Sequence, residues 1–66
     1  MKVTDDEILS FIRSYIERYG YSPSMRDVSK AIGISISPTK YRLDRLRESG
    51  VITFEDGMAR TIRVVK

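Results

Sequence analysis

Ser35, Ser37, Lys40, Tyr41, Arg42 and Arg45 fall within one short stretch, and each carries a group that donates hydrogen bonds or neutralises an anion. Arg60 and Arg63 follow towards the C-terminus, and Lys66 is the last residue. Such side chains suit recognition of a polyanion. Lysine and arginine offset phosphate charge, and arginine can grip guanine through two hydrogen bonds. Catalysis is a poor fit. Histidine and cysteine are absent, so the common nucleophile–base pairs and the usual zinc ligands are missing. Asp5, Asp6 and Glu7 could be read as a metal cluster, but consecutive residues on a helix point in different directions. We therefore expect no enzyme, no metal and no other cofactor.

The placement of charge agrees with a polyanion partner. The formal net charge is +3. In residues 1–34, Lys2, Arg13, Arg18, Arg26 and Lys30 cancel Asp5, Asp6, Glu7, Glu17 and Asp27, so the whole excess lies in residues 35–66. A basic face on one side of a small domain is what phosphate binding needs. An uneven but merely solvated surface is the plainer alternative.

These residues need a scaffold, and 66 residues allow only one domain, spanning 1–66. No apolar run approaches the ~20 residues of a membrane span. Met1-Lys2-Val3-Thr4-Asp5-Asp6-Glu7 does not read as a signal peptide. The expectation is a soluble cytoplasmic protein, prokaryotic or phage-encoded, with no membrane partner.

Thr4-Asp5-Asp6-Glu7 reads as a capping box opening a first helix. Ile8, Ile12, Tyr15, Ile16 and Tyr19 recur at helical spacing, Leu9 and Phe11 widen the stripe, and Gly20 stops it. Tyr21-Ser22-Pro23 is a connector. Ser24 caps a second helix with Asp27 at its third position; Val28, Ala31 and Ile32 are its buried face, and Gly33 closes it. Ile34-Ser35-Ile36 reads as a turn pointing apolar groups inward. Ser37 then caps a third helix of about 38–49, with Pro38 at its first position and Thr39, Leu43 and Leu46 inward.

The period changes after Gly50. Val51–Phe54 and Thr61–Val65 are rich in strand formers, and the Asp56-Gly57 turn lies between them. The predicted architecture is mainly α with a small β-hairpin, a three-helix winged helix-turn-helix.

In that arrangement the third helix offers its outer face to a major groove. With Leu43 and Leu46 inward, the outer face carries Ser37, Tyr41, Asp44, Arg45 and Glu48, with Lys40 and Arg42 on the flanks. Asp44 and Glu48 can also satisfy Arg42, Arg45 or Arg47, which is the ordinary reading of a charged helix face. Arg60 and Arg63 would meet phosphates from the wing, or, for Arg63, protect an exposed strand edge. Tyr15, Tyr19 and Tyr21 could stack on single strands, but their helical spacing among isoleucines favours core packing.

Taken together, these segments resemble the N-terminal DNA-binding domain of the LexA repressor family. The resemblance rests on Thr4-Asp5-Asp6-Glu7-Ile8-Leu9, Gly20-Tyr21-Ser22-Pro23-Ser24, Arg26-Asp27-Val28 and Ala31-Ile32-Gly33. It continues through Leu43-Asp44-Arg45-Leu46, Gly50-Val51-Ile52 and Arg60-Thr61-Ile62-Arg63-Val64. It implies a transcriptional repressor that binds double-stranded DNA as a homodimer on a palindromic operator. Ser35, Ser37, Lys40, Tyr41 and Arg42 would then lie near bases or adjacent phosphates, with the wing on the backbone. Two departures stand out. The segment from Gly33 to Leu43 is one residue shorter than in that family, and the family's self-cleaving serine–lysine domain has no counterpart in these residues. The chain is then either an excised domain or a free-standing small regulator. The rival reading is a winged-helix protein–protein interaction module with the third helix as its docking face.

Overall fold

The computed structural model describes residues 4–65. The N-terminal residues 1–3 and Lys66 lie outside the described residues, and so do the readings placed on them. The elements run α1 (Asp5–Tyr19), α2 (Met25–Ile32), α3 (Ile36–Glu48), β1 (Ile52–Thr53) and β2 (Arg63–Val64). This is the winged helix-turn-helix order.

Local chemistry explains the first two helices. The Thr4 hydroxyl accepts from the Glu7 amide at 3.2 Å, and three acidic residues occupy the first turn of α1, where the helix dipole favours them. At α2 the box is complete: Ser24 Oγ accepts from the Asp27 amide, and the Asp27 carboxylate accepts from the Ser24 amide. Gly20 and Gly33 close these helices at φ 79° and 77°, a left-handed conformation that costs a residue with a Cβ.

The third helix corrects the sequence reading. Ser35, not Ser37, is the N-cap, and α3 starts at Ile36. Pro38 therefore sits at the third helical position, where its missing N–H still costs nothing because first-turn amides have no intrahelical acceptor. The Ser35 hydroxyl makes no capping bond; its carbonyl accepts from the Thr39 amide at 3.3 Å and from Thr39 Oγ1 at 2.8 Å. Two apolar residues also depart from expectation. Ala31 is exposed, and Ser29 takes the inner position, its hydroxyl donating to the Arg26 carbonyl at 2.8 Å. Ile36 is 41% exposed, because the helix begins two residues earlier than expected and takes it in as its first residue, turned away from the core.

The core joins all elements. Ile8 and Ile12 of α1, Val28 of α2, and Leu43 and Leu46 of α3 meet Ile52, Phe54 and Ile62 of the hairpin. Thr39 is fully buried beside them. Tyr19 and Tyr21 do not join this core: they are half exposed, and with Tyr15 they form a surface ring cluster at 4.5–6.0 Å between centroids. The strands are antiparallel, pairing Ile52 with Val64 and Thr53 with Arg63. They are shorter than composition predicted, since Phe54 leaves the ladder to fill the core and the Glu55 amide bonds instead to Thr61 Oγ1 at 2.9 Å.

Candidate nucleic-acid interface

The outward side of α3 gathers the predicted residues of the third helix. Ser37, Lys40, Tyr41 and Arg45 are exposed, and Arg42 is half-buried on the flank towards α1. Ser35, also exposed, stands at the helix N-cap, where partly positive amides favour an anion. The arrangement follows from the inward set Thr39, Leu43 and Leu46, which anchors one stripe of the helix and leaves the opposite stripe in solvent.

Within this face the charges are organised. Arg45 lies 5.9 Å from the centre of the Tyr41 ring, which is 63% exposed. Arg42 Nη1 approaches Asp5 Oδ1 at 3.9 Å, so the start of α1 borders the site. Asp5, Pro38, Tyr41, Arg42 and Arg45 together line one shallow depression. Lys40 pairs with Asp44 at 3.1 Å, and its stem lines a groove shared with Met25 and the hairpin loop. Side chains of this kind can donate to base edges or phosphates, and the exposed ring can stack or pack against sugars.

Of the two wing arginines, Arg63 is placed apart from that face, while Arg60 lines the groove that Lys40 borders. Arg60 turns back onto the helices: its Nη1 donates to Tyr15 Oη and to the Ser22 carbonyl, both at 3.1 Å, and it pairs with Asp27 at 3.2 Å. Its guanidinium also lies 5.1 Å from the Tyr21 ring centre, and its backbone holds φ 60°, a left-handed value that needs compensation in a residue other than glycine. The Ser24 amide, with Arg60 and Tyr15 also nearby, holds the Asp27 carboxyl below the usual carboxylate range. Against the opposing hydrogen bond from Arg60, desolvation and the Asp27 charge carry the Tyr15 phenol above its ordinary value. Arg63 is exposed and lines a separate groove with Arg13, Glu17 and Tyr21. It shares no lining residue with the α3 depression.

Sequence reasoning missed the residue that ties wing to helix. Arg47 Nη1 donates to the Phe54 carbonyl at 3.1 Å and to Asp56 at 3.2 Å, while its guanidinium stacks 4.0 Å from the Phe54 ring centre. The i,i+3 spacing signals its pairing with Asp44, seen at 3.5 Å. Nothing in the spacing signals Asp56. Among the described residues no group of histidine, cysteine or carboxylate side chains could hold a metal ion, and no helix is long and apolar enough to cross a membrane.

With this geometry in view, comparison with known proteins is specific. Residues 3–61 match the family described as "LexA DNA binding domain". The chain is 37% identical over 60 residues to a transcription regulator LexA of Synechocystis, covering 89% of this chain and 30% of that protein. It is 39% identical over 59 residues to a LexA repressor of Moorella thermoacetica, covering 88% and 29% respectively. A LexA repressor of Clostridium botulinum is 36% identical over 61 residues, covering 91% and 30%. The chain thus spans about 30% of the length of the curated relatives it matches. The matched family is a DNA-binding domain, not a catalytic one.

Proposed function

The chain belongs to the LexA DNA binding domain family, and on that premise we propose that it binds double-stranded DNA sequence-specifically as the reading module of a transcriptional repressor. The observation that carries this reading is the solvent face of α3, where Ser37, Lys40, Tyr41 and Arg45 are exposed on a helix whose opposite stripe is fixed in the core. In this reading α3 enters the major groove, with Ser35 and Arg42 at its margins near phosphates. Arg63 reaches the backbone beyond the half-site. Arg60 serves DNA indirectly, by fixing where the wing stands.

Repression suits a module of this size, because occupancy of an operator is enough to block transcription. One half-site gives few base contacts, so useful affinity calls for two copies on a palindromic operator. The bacterial relatives support a cytoplasmic setting. A protein-docking role for α3 is the weaker reading, since the family match is to a DNA-binding domain.

The test is an NMR titration of the labelled domain with a short random duplex at low and moderate salt. Shifts concentrated at residues 35–45 and fading with salt are expected. Silence at low salt would overturn the proposal. Once a preferred site has been selected, Lys40→Ala and Tyr41→Ala should each relax sequence preference. Arg45→Ala should instead weaken binding to all sequences alike and flatten the salt dependence by about one unit; equal losses on selected and random DNA for all three would sink that division.

A further inference from the structure

Asp44 holds two cations at once. Its Oδ2 lies 3.1 Å from Lys40 Nζ, and its Oδ1 lies 3.5 Å from Arg47 Nη2. Arg47 has other partners in Asp56 and the Phe54 carbonyl. Lys40 differs: among the described residues Asp44 is the only carboxylate paired with it. The same lysine stands on the exposed face of α3, beside the wing groove, where a duplex would lie.

We infer that Asp44 is a specificity-determining positioning residue, which withholds Lys40 from the phosphates of non-matching DNA. The inference rests on the DNA-binding reading above and assigns a role to a residue which that reading left as a mere ion-pair partner. An exposed lysine–aspartate pair is weak, because water screens it and two mobile side chains must be held together, so a duplex can break it. The cost comes afterwards. When Lys40 swings to a phosphate, the Asp44 carboxylate is left facing a polyanion, and that repulsion falls on every sequence. It is relieved only where a base edge offers a donor. Cytosine presents its exocyclic amine to a carboxylate, and the paired guanine presents O6 and N7 to an ammonium group. A G·C pair beneath this turn of α3 satisfies both side chains together. Arg47 keeps its two wing contacts whatever Asp44 does, so the effect stays local to Lys40.

The experiment measures binding by fluorescence anisotropy over about 50–200 mM salt. The probes are a random-sequence duplex and a duplex pool enriched by selection on the wild-type domain. Asp44→Asn should bind the random duplex roughly fivefold to tenfold tighter near 0.1 M salt, with a salt slope steeper by about one unit, because one more phosphate is neutralised. Its preference for the selected pool should fall by a similar factor. Asp44→Glu, which keeps the charge within reach of Lys40, should behave as wild type. Adding Lys40→Ala to Asp44→Asn should return the slope to its starting value. Glu48→Gln makes the same change in net charge one turn further on, and should leave the slope unchanged. Equal gains from Glu48→Gln and Asp44→Asn, or no gain from Asp44→Asn, would overturn the inference while leaving DNA binding intact. No binding by the wild-type domain even at low salt would instead remove the reading beneath it. If asparagine unsettles the helix by circular dichroism, Asp44→Ser carries the same comparison.

Discussion

Asp27 serves three partners through one carboxylate: the Ser24 amide at 3.1 Å, Tyr15 Oη at 3.3 Å and the Arg60 guanidinium at 3.2 Å. Hydrogen bonding from the Ser24 amide is the largest reason its pKa lies below the ordinary value. A group held lower in the folded state stabilises the fold above its unfolded pKa, and that support is lost as pH falls through the folded value. The wild type should therefore lose stability below about pH 4, as this carboxylate takes up its proton. Asp27→Asn should be less stable at neutral pH and decline less on acidification. Urea midpoints across a pH series would show it, and parallel declines would mean that another carboxylate titrates. At this scale the sequence was legible where partners are close. Ser24 and Asp27, three residues apart, announce a cap. The bonds of Arg60 were not legible, because its partners Tyr15 and Asp27 lie far back in the chain and no local spacing points to them.

The helix starts separate local from tertiary control. At α2 both halves of the capping box form, so Ser24→Ala should cost about 1 kcal/mol of stability. At α3 the Ser35 hydroxyl caps nothing, so Ser35→Ala should cost no more than about 0.5 kcal/mol, within the range of an ordinary surface change. Thermal unfolding of the two variants would check this, and equal losses would show that Ser35 caps in solution. The contrast also explains why α1 and α2 were placed correctly while α3 began two residues early relative to expectation. Ser37-Pro38 carries the stronger local signal for a helix start. What decides the boundary is Thr39, fully buried and bonded back to the Ser35 carbonyl, which draws the preceding residues into helical geometry. The short strands have a similar cause: Phe54 is a good strand former, yet the core has more use for its ring than the ladder does.

Across the whole molecule, the hairpin completes the helical core rather than decorating it. Ile62 is 2% exposed, packs with Ile8 and Ile12, and donates its amide to Ser22 Oγ at 3.0 Å. Truncating it should cost about 2–5 kcal/mol, comparable to the entire stability of a domain this small. Ile62→Ala is expected to lose its cooperative unfolding transition and much of its helical circular dichroism at 25 °C, whereas Val65→Ala, at a site 58% exposed, should retain both. A folded Ile62→Ala domain with a normal transition would contradict this. The alternation of Ile62 and Val64 made the strand legible, and the three-helix order made the winged fold legible. The closure itself was not, because it joins Ile62 to residues near the other end. That closure has a consequence during biosynthesis. The segment from Gly50 to Ile62 takes on the order of one second to translate, whereas helices and hairpins form in microseconds. While the ribosome still shields Ile62, the three helices surround an open core, and α3 has no wing to steady it. A nascent chain becomes able to present a steadied α3 only after the last buried isoleucine has left the ribosome and closed the core.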